Sequence, residues 1–235
     1  MTARIPLLAA AISAIALSAP AAASAQAPAP TGGATFGDEA TGLVVEPGAM
    51  LGDPLVIRGN LPSLRGTAVR VERRADGDDE WTPVGRDVVG ADGTLEVTWE
   101  TDAPGRHDLR VVPDTGTAQA SAAASAAEDE TASATTTVHR RTRATWYGPG
   151  FWGRRTACGI RLTKRTIGVA HKTLPCGTRV SVLLDGRQIE LPVIDRGPFA
   201  KGMTLDLTQA AARAIGMLHT TDVGWVRLSK PGARR

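Results

Sequence analysis

From residue 41 to residue 140, apolar and polar residues alternate in short runs with no helical period. Leu43 to Val45, Leu55 to Gly59, Ala68 to Arg73, Trp81 to Val84 and Leu95 to Trp99 each read as a strand with one face toward a core. His107 to Val112 and Ala134 to His139 continue the series. Turn-forming clusters separate them, among them Glu46-Pro47-Gly48, Asp76-Gly77-Asp78-Asp79, Ala91-Asp92-Gly93 and Ala103-Pro104-Gly105. Strands at this spacing predict an antiparallel β-sandwich of immunoglobulin-like type over residues 41–140, with the Ala/Ser/Glu-rich stretch from Thr115 to Ala132 as a mobile hairpin tip. The segment holds no catalytic constellation and reads as a spacer or adhesion module.

The texture changes near Arg143. Strands are expected at 144–147, 167–170, 178–184, 187–193 and 224–228, and Asp185-Gly186 is a two-residue hairpin turn. Leu207, Ala210, Ala211, Ala214 and Ile215 recur on one face, which predicts a helix from Asp206 to Met217 with Gly216 near its end. About six strands with one short helix predict a compact β-barrel over residues 143–230, so the chain is mainly all-β.

The N-terminus sets the compartment. Arg4 precedes an apolar run from Ile5 to Ala19, and Ala23-Ser24-Ala25 supplies the small residues that signal peptidase needs. Residues 1–25 therefore read as a signal peptide and the Pro/Ala/Gly-rich residues 26–40 as a flexible linker. The apolar run is short for a membrane span, although a retained N-terminal anchor is the competing reading. The expectation is a secreted, cell-envelope protein with no stable membrane anchor. In that oxidising setting the two cysteines, Cys158 and Cys176, favour a disulfide, worth about 3 kcal/mol by loop entropy.

The formal net charge of +3 conceals an asymmetry: residues 141–235 hold seventeen Lys/Arg against five Asp/Glu, and residues 1–140 hold ten against nineteen. The basic half should attract a polyanion, and export points to an anionic cell-wall polymer rather than nucleic acid, with a merely solvated basic face as the bland alternative.

Three segments, in order, resemble one known family. They are Ala144-Thr145-Trp146-Tyr147-Gly148 through Thr156-Ala157, then Ala170-His171-Lys172-Thr173-Leu174-Pro175-Cys176-Gly177, then Val193-Ile194-Asp195-Arg196-Gly197-Pro198-Phe199 followed by Leu205-Asp206-Leu207-Thr208. Together they resemble the rare lipoprotein A-like double-psi β-barrel domains. The resemblance implies a six-stranded double-psi barrel acting on peptidoglycan glycan strands as a lytic transglycosylase, and it implies roles for Asp195 and His171. One position departs from the pattern: the family's Glu after its Thr-Ala motif falls on Ile160. The cysteines near Ala157 resemble the expansin branch of the fold, so a non-catalytic peptidoglycan-binding or wall-loosening module is the alternative function.

The barrel segment has five acids. Asp185 reads as a turn residue, Glu190 as the outward face of a strand and Asp222 as part of a polar loop. Asp195 and Asp206 remain as catalytic candidates, with His171 beside them. The competing readings are a turn Asp paired with Arg196 for Asp195, and a helix cap for Asp206, where the dipole favours the ionised form. Tyr147 and Trp152, in an aromatic cluster with Trp146 and Phe151, offer flat faces to sugar rings and are substrate-binding candidates with Arg196. His107, His139 and His219 lack ligand spacing, so neither a metal nor another cofactor is expected.

Overall fold

The structure, a computed structural model, describes residues 42–114 and 132–228. The expected signal peptide, the linker and all of the hairpin tip except Ala132 lie outside the described residues. No helix among the described residues is long and apolar enough to cross a membrane.

Seven strands precede residue 114: β1 (Gly42–Val44), β2 (Gly48–Met50), β3 (Pro54–Asn60), β4 (Ala68–Ala75), β5 (Thr82–Val88), β6 (Thr94–Glu100) and β7 (Gly105–Pro113). After them come β8 (Ser133–Tyr147), β9 (Val169–Ala170), β10 (Arg179–Leu184), β11 (Arg187–Asp195), β12 (Leu205–Thr208), helix α1 (Gln209–Ala214) and β13 (Thr221–Arg227). In β6, Leu95, Val97 and Trp99 are buried while their neighbours face solvent, as strand geometry requires of a one-sided sheet. The β1-β3-β6 sheet shares its core with Val69 and Val71 of β4, Leu109 and Val111 of β7 and Val138 of β8. Each such buried aliphatic side chain contributes about 1.5–3 kcal/mol.

The second core lies inside a closed barrel. Its six strands run β8-β12-β9-β11-β10-β13, and β13 pairs back onto β8. Ala144, Val169, Val180, Val182, Leu191, Val193, Leu205 and Leu207 fill it, and Ala211, Ala212 and Ile215 at the helix cap it. The hairpin turn at Asp185-Gly186 is as the sequence predicts, with φ of 47° and 74°.

Three expectations need correction. The helix starts at Gln209 instead of Asp206, because Leu205 to Thr208 form β12 and Thr208 is the cap, its Oγ1 accepting from the Ala211 N–H at 3.3 Å. Asp222 is in β13 rather than in a loop, with a carboxylate oxygen 3.7 Å from Arg143. The strands expected at 134–139 and 144–147 are one fifteen-residue strand, so the boundary drawn between 140 and 143 falls inside β8. The first half of β8 pairs with β7 and β2, and the second half with β13 and β12. Midway, the fully buried His139 ring meets Ser181 Oγ of β10 at 2.8 Å and the Ala49 carbonyl of β2 at 3.2 Å. Arg106 of β7 forms an ion pair with Glu190 of β11, which Arg179 also contacts at 3.2 Å.

Candidate active site

Strand register assembles the site. Asp206 on β12 pairs with Thr145 on β8 and with Ala170 on β9, and Ala170 pairs in turn with Asp195 at the end of β11. Leu205 and Leu207 enter the barrel core, so alternation turns Asp206 to the outer wall. Two acids far apart in sequence thus occupy one row, on strands separated only by β9. Ordinary strand spacing puts their backbones about 10 Å apart.

The two carboxylates differ in their surroundings. Asp195 Oδ1 accepts from the backbone N–H of Ala157 at 2.9 Å and of Arg196 at 2.8 Å, so both the preceding loop and its own turn fix it. Asp206 Oδ1, by contrast, is buried without a hydrogen-bond partner among the described residues. Burial first, and the charge of Asp195 second, raise its pKa from 3.8 to about 6. That direction is opposite to the helix-cap expectation, because Asp206 is two residues upstream of the cap. An acid titrating near neutrality can give a proton and take it back.

Tyr147 lies beside this pair. Its hydroxyl is buried and without a partner of normal hydrogen-bond geometry, and burial, followed by the charges of Asp195 and Asp206, raises its pKa. Its ring meets Phe151 edge-on at 6.2 Å. Trp152 packs on the chain at Gly148, where a Cβ would overlap the indole and come within 3.0 Å of Gln209 Cβ. Trp146 alternates to the other side, where it packs on the barrel core and donates from Nε1 to the Leu218 carbonyl at 3.2 Å.

His171 follows β9. Its Nδ1 accepts from the N–H groups of Thr173 (3.2 Å) and Leu174 (3.0 Å), which leaves Nε2 to carry the proton of the neutral ring. Burial, then the charges of Arg196 and Lys172, lower its pKa. Its ring hydrogen bonds therefore go to its own loop, and only its backbone N–H meets Asp195, at the carbonyl, 3.2 Å away. The Arg196 guanidinium does not pair with the Asp195 carboxylate. It reaches the carbonyls of Asp195 (3.4 Å) and His171 (3.5 Å) and Cys176 Sγ (3.5 Å). Cys158 and Cys176 form the expected disulfide, tying the loop that carries Ala157 to the loop that carries His171. Ile160 is an exposed apolar side chain on the first of these loops. No group of three or more His, Cys, Asp or Glu among the described residues is placed to hold a metal ion.

Sequence reasoning missed Thr145 and Ala170 as members of the row, and Trp225, whose ring centroid is 5.6 Å from that of His171. The parity of Ala144 to Tyr147 marks Thr145, but pairing partners are not written in single strands.

The family described as "Lytic transglycolase" matches residues 139–228, which is the closed barrel with the middle of β8. The chain is 52% identical over 87 residues to the "Probable endolytic peptidoglycan transglycosylase RlpA" of Synechocystis sp., covering 36% of this chain and 27% of that protein. Residues 139–228 are therefore similar to RlpA-like double-psi β-barrel domains. The RlpA-like barrel is also 43% identical over 77 residues to the "Endolytic peptidoglycan transglycosylase RlpA" of Campylobacter jejuni, covering 32% of this chain and 28% of that protein. The chain thus spans about a quarter of the length of these curated relatives. Among solved structures, an expansin of Clavibacter michiganensis is similar at 24% identity and a TM-score of 0.33, over 40% of this chain and 52% of that one.

Proposed function

We propose that the RlpA-like barrel binds peptidoglycan glycan strands and cleaves them by lytic transglycosylation at the Asp195–Asp206 row. The observation that carries this reading is the half-buried Asp206 carboxyl, raised to about 6, facing the Asp195 charge on a barrel of the lytic transglycosylase family. Protonated Asp206 donates its proton to the glycosidic oxygen as the bond to the leaving sugar breaks. The resulting carboxylate then removes the proton of the sugar's own hydroxyl, which closes an anhydro ring on the anomeric carbon. The proton returns to Asp206, and no water is consumed. Asp195, held by two backbone donors, offers negative charge to the cation-like transition state. The His171 Nε2–H is a donor for sugar oxygens, and the Trp152 edge is a surface for a sugar face. We read the two-sheet segment before the barrel as an immunoglobulin-like spacer and the whole chain as exported to the cell envelope, where this substrate lies.

Incubating the purified chain with peptidoglycan and analysing products by mass spectrometry tests the reading. Anhydro-ended muropeptides are expected, and they should be lost in Asp206→Asn and Asp195→Asn. Binding without any product would overturn catalysis and favour the second reading, a wall-binding or wall-loosening module, whose motivation is the apolar Ile160 where the family pattern has Glu.

A further inference from the structure

Two of the four buried side-chain polar atoms that lack a hydrogen-bond partner among the described residues belong to the acid row: the Tyr147 hydroxyl and Asp206 Oδ1. Register places them together. In the parallel β8–β12 pair Asp206 lies opposite Thr145 and Thr208 lies opposite Tyr147, so Tyr147 is the diagonal neighbour of Asp206 on the same outer face. An aromatic side chain spans such a diagonal. Phe151 holds the ring edge-on at 6.2 Å, and Asp195 reaches the same place from the end of β11. The charges of Asp195 and Asp206 act on the hydroxyl, and that of Asp195 acts on Asp206. The neighbouring elements bring other groups here. Arg143, on the same face of β8, has Asp222 at 3.7 Å, and β9 contributes Ala170 to the row. The charges of Arg196 and Lys172 act on His171, and Arg213 is exposed in the last turn of α1. One uncharged donor therefore stands beside two carboxyl groups.

We infer that Tyr147 is the positioning residue of the acid row: its single hydroxyl proton is directed at Asp195 while Asp206 is protonated, and at Asp206 once Asp206 has given its proton to the leaving oxygen. The second half of this assignment rests on the reading of the row as the cleavage site. The hydroxyl turns about its C–O bond between two acceptors, so no covalent bond changes. The phenol keeps its own proton, which burial binds more tightly than usual. Being buried, the hydroxyl acts through the carboxylates and not on the sugar. Without it, the newly formed Asp206 carboxylate would face the Asp195 charge with no donor to Oδ1, and an unpaired buried charge is costly.

The test is a carboxyl-carbon NMR titration of the isotope-labelled full chain, with Asp206 recognised as the signal lost in Asp206→Asn. A hydroxyl that donates to a carboxylate favours its charged form, so Tyr147→Phe should raise the Asp206 midpoint from about 6 by about one unit, a tenfold gain in proton affinity. Phe151→Leu loosens the same ring but keeps the hydroxyl, and should leave the midpoint at its parent value. An unmoved midpoint in Tyr147→Phe, or equal shifts in both variants, would overturn the inference. Because Asp206 must start protonated, the alkaline limb of anhydro-product formation should move up with the midpoint, while the plateau rate falls by up to about tenfold. A shifted titration in a chain that forms no anhydro products leaves Tyr147 as the positioning residue and removes the proposed reaction. Products with an unshifted titration keep the reaction and remove this role of Tyr147.

Discussion

Replacing Asp206 by Asn should abolish cleavage and at the same time stabilise the fold at neutral and alkaline pH. In the folded chain the carboxyl keeps its proton up to about pH 6, whereas an exposed Asp releases it near 3.8. Between those values the folded state binds more protons than the unfolded one, so stability falls as pH rises through that window and the full cost is present above it. A change from 3.8 to about 6 corresponds to about 3 kcal/mol. Relaxation and water around a group that is only half-buried reduce this, leaving an expected gain of about 1–3 kcal/mol for the Asn variant at pH 8. Asn has nearly the same shape and carries no charge to meet that of Asp195. Urea unfolding of both proteins across pH 3.5–8.5 measures the difference, and other titrating groups cancel between them. The gap should grow from near zero below pH 4 to its plateau above pH 7. A variant no more stable than its parent at pH 8, or a gap independent of pH, would refute the burial argument for Asp206.

Three other outcomes are expected. Cys158→Ser with Cys176→Ser removes a bridge spanning 18 residues and should lower unfolding free energy by about 3 kcal/mol in denaturant titration. Thr208→Ala removes the side-chain cap of α1 and should cost about 1 kcal/mol, with faster amide exchange at Ala211. His139 is buried as the neutral ring, and burial lowers its pKa from 6.5 to about 4, so the stability it contributes is present above pH 6.5 and is lost as pH falls toward 4. His139→Gln should flatten that acid limb of the stability profile by up to about 3 kcal/mol.

The strands of the sandwich-like segment and most of the barrel are legible in the sequence because alternation and turn chemistry are local. Asp185-Gly186 announces its hairpin through the φ values it tolerates, and Leu95 to Trp99 shows its buried face directly. β12 was hidden for a physical reason: Leu207, with Ala210, Ala211 and Ala214, satisfies a helical period, while Leu205 and Leu207 satisfy a strand period. The need to close the barrel between β8 and β9 decides between them. Asp195, Asp206, His171 and Tyr147 could be singled out by residue type and motif. Their distinct electrostatic states could not, because each depends on a cross-strand neighbour or on backbone donors from another loop.

The missing family Glu acquires a different meaning once the row is seen. Hydrolysis with two carboxyl groups divides acid and base between them, and each must be tuned separately. Closure of an anhydro ring lets one carboxyl serve in both directions, provided that its proton affinity sits near the working pH and that a nearby charge keeps it there. Asp206 meets the first condition through burial, and Asp195, fixed by Ala157 and Arg196, meets the second. Ile160 on the rim need not then be an inactivating change. Where the family pattern has a Glu, Ile160 leaves the loop that carries Arg155 and Arg161 without an acidic residue.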